Sequence, residues 1–165
     1  LKGAPEYAMV DIVVFTRVAS ARVFLDPVQH GRPVILFDKD GILVPPRFDE
    51  AAFRRKLRER LRGIRLRFDL FQNLPKKEVF RGNFLDALSM YQSFTLSPFV
   101  EVLRMRHCPR RHAFGLRYAR HDFPPKVRKA LERLYQVRGL GDIARKRREA
   151  ERMFRATVKG LDLGS

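Results

Sequence analysis

Three groups of residues in this chain have types and spacing that could do chemistry. The first is Asp11, inside the apolar run Met9-Val10-Asp11-Ile12-Val13-Val14-Phe15. A carboxylate in such a run is costly to bury unless something requires it. A rigid strand would present it to a metal ion or as a base to a reacting hydroxyl; the other reading is a strand-edge acid paired with one of the many arginines. The second group is Asp38 and Asp40, which close a second apolar run, Arg32–Phe37. The third is a cationic stretch holding Arg104, Arg106, His107, Arg110, Arg111, His112, Arg117, Arg120 and His121, with no acid between Val102 and Arg120. Guanidinium forks match phosphate oxygens bidentately. Phe114, Leu116 and Tyr118 interrupt this stretch and read as stacking surfaces or as core contacts.

The elements that must position these groups change character at Pro45-Pro46. Residues 1–46 carry five Lys/Arg and five Asp/Glu and read as strand, helix, strand: Met9–Phe15, a short helix within 17–30 that ends near Pro27 and Gly31, and Arg32–Phe37. Asp38-Lys39-Asp40-Gly41 has turn composition. Residues 47–165 carry 30 Lys/Arg against 13 Asp/Glu. Asp49 is an N-cap candidate, and Phe53, Leu57, Leu61, Ile64, Phe68 and Phe71 recur at helical spacing, with Arg54, Arg55, Arg58, Arg62 and Arg65 off that stripe. Pro75 is expected to end this helix. A second helical region covers about Lys76 to His107, with Gly82-Asn83 as its true start or a weak point and a kink or break at Ser97-Pro98. A third runs from Pro124-Pro125 to Gly139 or Gly141, and a fourth from Asp142 to Gly160. The expected fold class is α+β: a short N-terminal strand-helix-strand piece, residues 1–46, followed by an antiparallel helical bundle, residues 47–165.

The net charge of +17 and the pI near 11.1 point to a polyanionic partner, such as a nucleotide or nucleic acid. The alternative is an arginine-rich solvated surface. A single cysteine, Cys108, excludes an internal disulfide and gives no zinc-site spacing, which fits a reducing, cytoplasmic setting. No apolar run approaches the roughly 18 residues that span a membrane. The chain opens at Leu1 rather than Met, just before an expected strand, which suggests a fragment, a processed chain or a sequence whose start is missing.

Several stretches resemble known families. Val34-Ile35-Leu36-Phe37-Asp38-Lys39-Asp40-Gly41 resembles the nucleophile motif of haloacid-dehalogenase-type phosphatases but departs from it at Ile42, and a plain hairpin turn is the other reading. Arg106 and His112 have an Arg-x5-His spacing similar to that of some helical ribonucleases. Arg145-Lys146-Arg147-Arg148 reads as a solvated helix face or as a nucleic-acid contact.

The order of elements as a whole resembles the later part of nucleotidyltransferases of the DNA-polymerase-β-like superfamily, the kanamycin-nucleotidyltransferase type. The resemblance implies that Asp11 is the third catalytic carboxylate and a ligand of Mg²⁺. It also implies that a substrate hydroxyl attacks a nucleotide α-phosphate in line, and that the helical domain holds substrate. Tyr91, Arg104 and Gly115-Leu116-Arg117-Tyr118 are similar to the helix and loop that such domains turn toward substrate, with Arg106, Arg110 and Arg111 adding phosphate contacts. No Gly-Ser pair followed about ten residues later by Asp-x-Asp is in the sequence, and Asp38-x-Asp40 follows Asp11 rather than preceding it, so an upstream segment or a partner subunit would supply the motif. The alternative reading is a non-enzymatic basic helical module that binds nucleic acid or a partner protein. An open α/β edge would also invite pairing with a second copy of the chain.

Overall fold

The computed structural model describes Gly3, Ala8, Ile12, residues 26–39, Gly41, Leu43, residues 47–161 and Leu163. The chain divides into two compact units, residues 1–48 and 49–165. Asp11, the rest of its run and Pro45-Pro46 lie outside the described residues.

The described part of the first unit corrects the expectation of an α+β fold. Arg32–Phe37 forms no strand, and among the described residues there is no strand at all. Val34 and Leu36 are each 86% exposed and Phe37 76%, so alternate residues share no buried face. An apolar run of this length is held as a strand only by cross-strand neighbours and burial. The open sheet edge that suggested a second copy is therefore not present among the described residues. The one helix here, α1 (Pro27–His30), starts at the proline that was expected to end a helix. Asp26 accepts a hydrogen bond from Val28 N at 2.9 Å as its N-cap, and proline at a first helical position gives up no needed N–H. After it, Asp38 Oδ2 accepts from Leu43 N at 3.0 Å around a turn.

The second unit is a helical bundle. Helix α2 (Glu50–Phe71) begins where Asp49 Oδ1 accepts from Ala52 N at 2.9 Å and buries Leu57, Ile64 and Phe68. It passes through Gln72 into α3 (Asn73–Phe80), so Pro75 sits in the first turn of α3 rather than ending α2. Gly82, with φ +79°, turns the chain into α4 (Phe84–Met90). A π-helical segment, Tyr91–Leu96, then runs directly into α5 (Ser97–His107). A 3-10 turn, Pro109–Phe114, leads to α6 (Ala119–Asp122), α7 (Pro125–Tyr135) and α8 (Leu140–Lys159).

Of the kink or break expected at Ser97-Pro98, the break does not occur, and a π-helical segment precedes the proline instead. Proline has no N–H for the carbonyl four residues back, which is that of Phe94. Gln72 Nε2 donates to this carbonyl at 2.9 Å instead, and to Phe68 O at 3.1 Å, while its Oε1 accepts from Thr95 Oγ1 at 2.8 Å. A widened turn next to the proline, satisfied from outside, keeps the helix continuous.

Helices α2 and α8 pack antiparallel. The Phe68 and Phe154 rings stack with centroids 3.7 Å apart, Arg155 reaches Asp69 at 3.2 Å, and Arg58 Nη1 donates to Leu163 O at 3.3 Å. Arg60 forks onto both oxygens of Glu101 at 2.7 and 2.8 Å and ties α2 to α5. Tyr91, Leu96, Phe99, Val102, Leu134 and Ile143 are fully buried at the centre.

Candidate functional site

The cationic stretch folds as the last turn of α5, the 3-10 turn, a loop and α6. Its organising residue is Arg104, which was expected to face a ligand. It is wholly buried. Nε donates to Gly115 O at 2.5 Å, one Nη donates to Arg117 O, and the other reaches Asp122 Oδ2 at 2.8 Å and Cys108 Sγ at 3.3 Å. The guanidinium lies 5.2 Å from the centroid of the buried Phe123 ring. Arg104 is therefore the pin that fixes the loop, with its donors used inside the protein. A buried charge is tolerated when it is paired and its protons are taken up in this way.

The segment so pinned carries Arg111, Arg117 and Tyr118 to one place. Arg111 Nη1 meets the other oxygen of Asp122 at 2.9 Å, and its guanidinium lies 5.9 Å from the Tyr118 centroid. The Arg117 guanidinium lies 5.5 Å from the Tyr118 ring and 5.9 Å from the Phe114 ring. Leu116 is 48% exposed and Tyr118 51%. Tyr118 is left-handed, with φ 58° and ψ 18°. This conformation is uncommon for a residue with a Cβ and persists where the surroundings impose it. The two carbonyls held by Arg104 belong to Gly115 and Arg117, so the constraint sits on the residues just before Tyr118. The outcome is a ridge of alternating guanidinium and aromatic groups, half-buried at Arg111 and Phe114 and exposed at Arg117 and Tyr118.

The remaining expected residues separate from this ridge. Arg110 is half-buried in the 3-10 turn. Arg106 is exposed and borders a different place, a cleft of about 350 Å³ among the ends of α2, α5 and α8, with Phe53, Leu57, Leu161 and the Glu50–Arg54 ion pair. His112 Nδ1 lies 3.0 Å from Pro109 O and its ring packs 6.3 Å from Phe53, a residue of the same cleft. Tyr91, expected to face substrate, is fully buried and donates its hydroxyl to Leu134 O at 3.1 Å. Burial pushes that hydroxyl's pKa well above its ordinary value.

Burial also raises the Cys108 thiol, against the opposing pull of Arg104. Burial lowers the pKa of His107, and Arg106 lowers it further. Among the described residues no three His, Cys, Asp or Glu side chains gather as a metal-ligand set. Asp122 was absent from the sequence-derived candidates. The signal for it was the acid-free run itself: Asp122 is the first carboxylate after Glu101, and it neutralises two of the run's arginines. No helix among the described residues is long and apolar enough to cross a membrane. No protein-family model, curated protein or solved structure matches this chain.

Proposed function

We propose that the helical unit is a phosphate-holding substrate module, the part that a nucleotidyltransferase-like protein or fragment uses to bind nucleotide in a cytoplasmic setting. The observation that carries this reading is the ridge of Arg111, Arg117, Phe114 and Tyr118, held in place by Arg104. Arg117 offers a guanidinium fork to phosphate oxygens, and Tyr118 and Leu116 offer apolar surface to a base or ribose. Asp122 keeps Arg111 oriented but is itself engaged by Arg104 and Arg111. Among the residues that frame this loop no carboxylate remains to act as base. The described residues thus support binding of a phosphate-bearing ligand, and transfer to an acceptor hydroxyl rests on Asp11 and Mg²⁺, which the resemblance supplies.

The test is equilibrium binding of ATP to the full chain with and without Mg²⁺. Arg117→Ala is expected to weaken ATP at least tenfold, since a hydrogen bond to a charged group contributes about 1.5–3 kcal/mol. Asp11→Asn is expected to leave the Mg²⁺-free affinity unchanged while removing any transfer activity. Equal ATP affinity in wild type and Arg117→Ala would overturn the reading.

A further inference from the structure

The charge of the helical unit is not spent at the loop. Residues 49–165 hold 29 Lys/Arg, 22 of them arginine, against 13 Asp/Glu. Many cations pair with acids on the surface, including Arg60 with Glu101, Arg133 with Glu149, Arg147 with Glu151 and Arg155 with Asp69. Arg55, Arg62 and Arg65 of α2 and Arg148, Arg152 and Lys159 of α8 are exposed, and none has an acid within ion-pair distance among the described residues.

These six belong to one continuous stripe. On α2, Arg55, Arg62 and Arg65 lie on the flank that carries Asp69, and the Asp69–Arg155 contact turns this flank toward α8. On α8, Arg148, Arg152 and Lys159 lie on the side opposite the buried Ile143, Ala150 and Phe154. The antiparallel register is fixed by Phe68 against Phe154 and by Arg58 against Leu163. In that register Arg65 stands near the level of Lys159. The stripe climbs α2 from Arg55 to Arg65, crosses to Lys159 and continues to Arg148, for a total of about 28 Å at 1.5 Å per residue. Three acids near it are occupied: Asp69 by Arg155, Glu151 by Arg147 and Glu149 by Arg133. Glu59 is exposed within one turn of both Arg55 and Arg62 and offsets part of their charge, which leaves the stripe cationic by five.

We infer that this stripe binds the phosphate backbone of a nucleic-acid duplex without reading its sequence. Arginine forks recognise phosphate oxygens. A row of cations along two packed helices suits one backbone strand, the contact class that positions protein on a duplex and carries no base information. Single-strand binders add aromatic platforms for unpaired bases, and neither α2 nor α8 has an exposed aromatic ring, the exposed apolar side chains of α2 being Leu66 and Leu70. The inference is independent of nucleotide binding at the Tyr118 loop.

The experiment uses the full chain, fluorescein-labelled 20-base-pair DNA duplexes of two unrelated sequences, the matching single strands and phosphatidylserine vesicles, between 50 and 200 mM NaCl. The wild type is expected to bind both duplexes equally and more tightly than either single strand. The triple variants Arg55→Gln/Arg62→Gln/Arg65→Gln and Arg148→Gln/Arg152→Gln/Lys159→Gln are each expected to weaken duplex binding tenfold or more at 100 mM NaCl. Each should also flatten the log–log salt slope by about 2–3, at roughly 0.9 per lost phosphate contact. Glutamine is a good helix former, and circular dichroism verifies the fold of both variants. The α7 control Lys126→Gln/Lys129→Gln should bind as wild type. Unchanged affinity and slope in both triple variants, tighter single-strand binding, or binding to vesicles without binding to duplex would each overturn the inference.

Discussion

Arg104 Nη1 lies 2.8 Å from Asp122 Oδ2 across 18 residues of chain, and the two buried side chains close the base of the segment that displays Arg111, Arg117 and Tyr118. The pair turns a glycine-containing loop into a fixed surface, and the backbone bonds from Arg104 to Gly115 and Arg117 complete the closure.

Removing one member of this pair should cost far more than a surface ion pair. Arg104→Met leaves Asp122 buried with only Arg111, and the expected loss is about 3–5 kcal/mol, the range for breaking a buried pair. Urea denaturation measures it. Limited proteolysis should cut the variant within 109–123 before it cuts elsewhere. A loss under 1 kcal/mol with an uncut loop would contradict the role given to Arg104.

Gln72 should matter through Pro98, a residue 26 positions away. Gln72→Leu strands the Phe94 carbonyl and the Thr95 hydroxyl, and the expected cost is about 1–3 kcal/mol for each buried group left unpaired. Gln72→Glu loses both donated bonds and should be no better. Thermal melts of the two variants, compared with wild type, provide the check.

Much of the helical unit was legible because its cause is local. Asp49 capping, the apolar spacing from Phe53 to Phe71, and the proline and glycine boundaries of α7 and α8 are visible in the sequence itself. Pro75 does not end α2 and Pro98 does not break its helix, each for a physical reason. A proline in a first turn needs no N–H, and the carbonyl freed by Pro98 is satisfied by Gln72 from another helix, which no local rule reveals. Arg32–Phe37 looked like a strand on composition alone, but nothing among the described residues pairs with it. The cationic stretch was legible as a site, whereas the division of labour within it was not. Arg104 and Arg117 look alike in sequence, and only the fold sends one inward to Asp122 and the other outward over Tyr118.

Acid should weaken the fold in two steps. The His107 pKa is lowered by burial and then by Arg106, so the fold favours the neutral ring. The stability this gives is full above the ordinary imidazole range near pH 6.5 and is lost as pH falls through the lowered value. The Glu78 carboxyl is held below its usual range first by Asn83 and also by Lys77 and Arg81; that of Asp142 is held down first by Arg145 and then by Arg138 N. Their contribution is present above about pH 4 and is lost as pH falls further. The melting temperature should therefore fall between pH 7 and 5 and again below 4. His107→Gln should remove the upper step, and identical profiles for the two proteins would contradict this assignment.

Cys108 should react slowly. Its thiol is raised chiefly by burial, and the thiolate is the reactive form. Modification by a thiol-specific disulfide reagent at pH 7.5 is expected to run slower than that of free cysteine, and to reach the free rate once the protein is unfolded in urea. Reaction at the free rate in the folded protein would contradict the burial given to this residue.

The central claim, that the Arg104-pinned loop holds phosphate, is tested most directly by following backbone amide resonances of the full chain during an ATP titration. The largest shifts are expected at Arg111, Arg117 and Tyr118, saturating with a single dissociation constant. Shifts confined to α2 and α8, or none at any residue of 109–123, would contradict it.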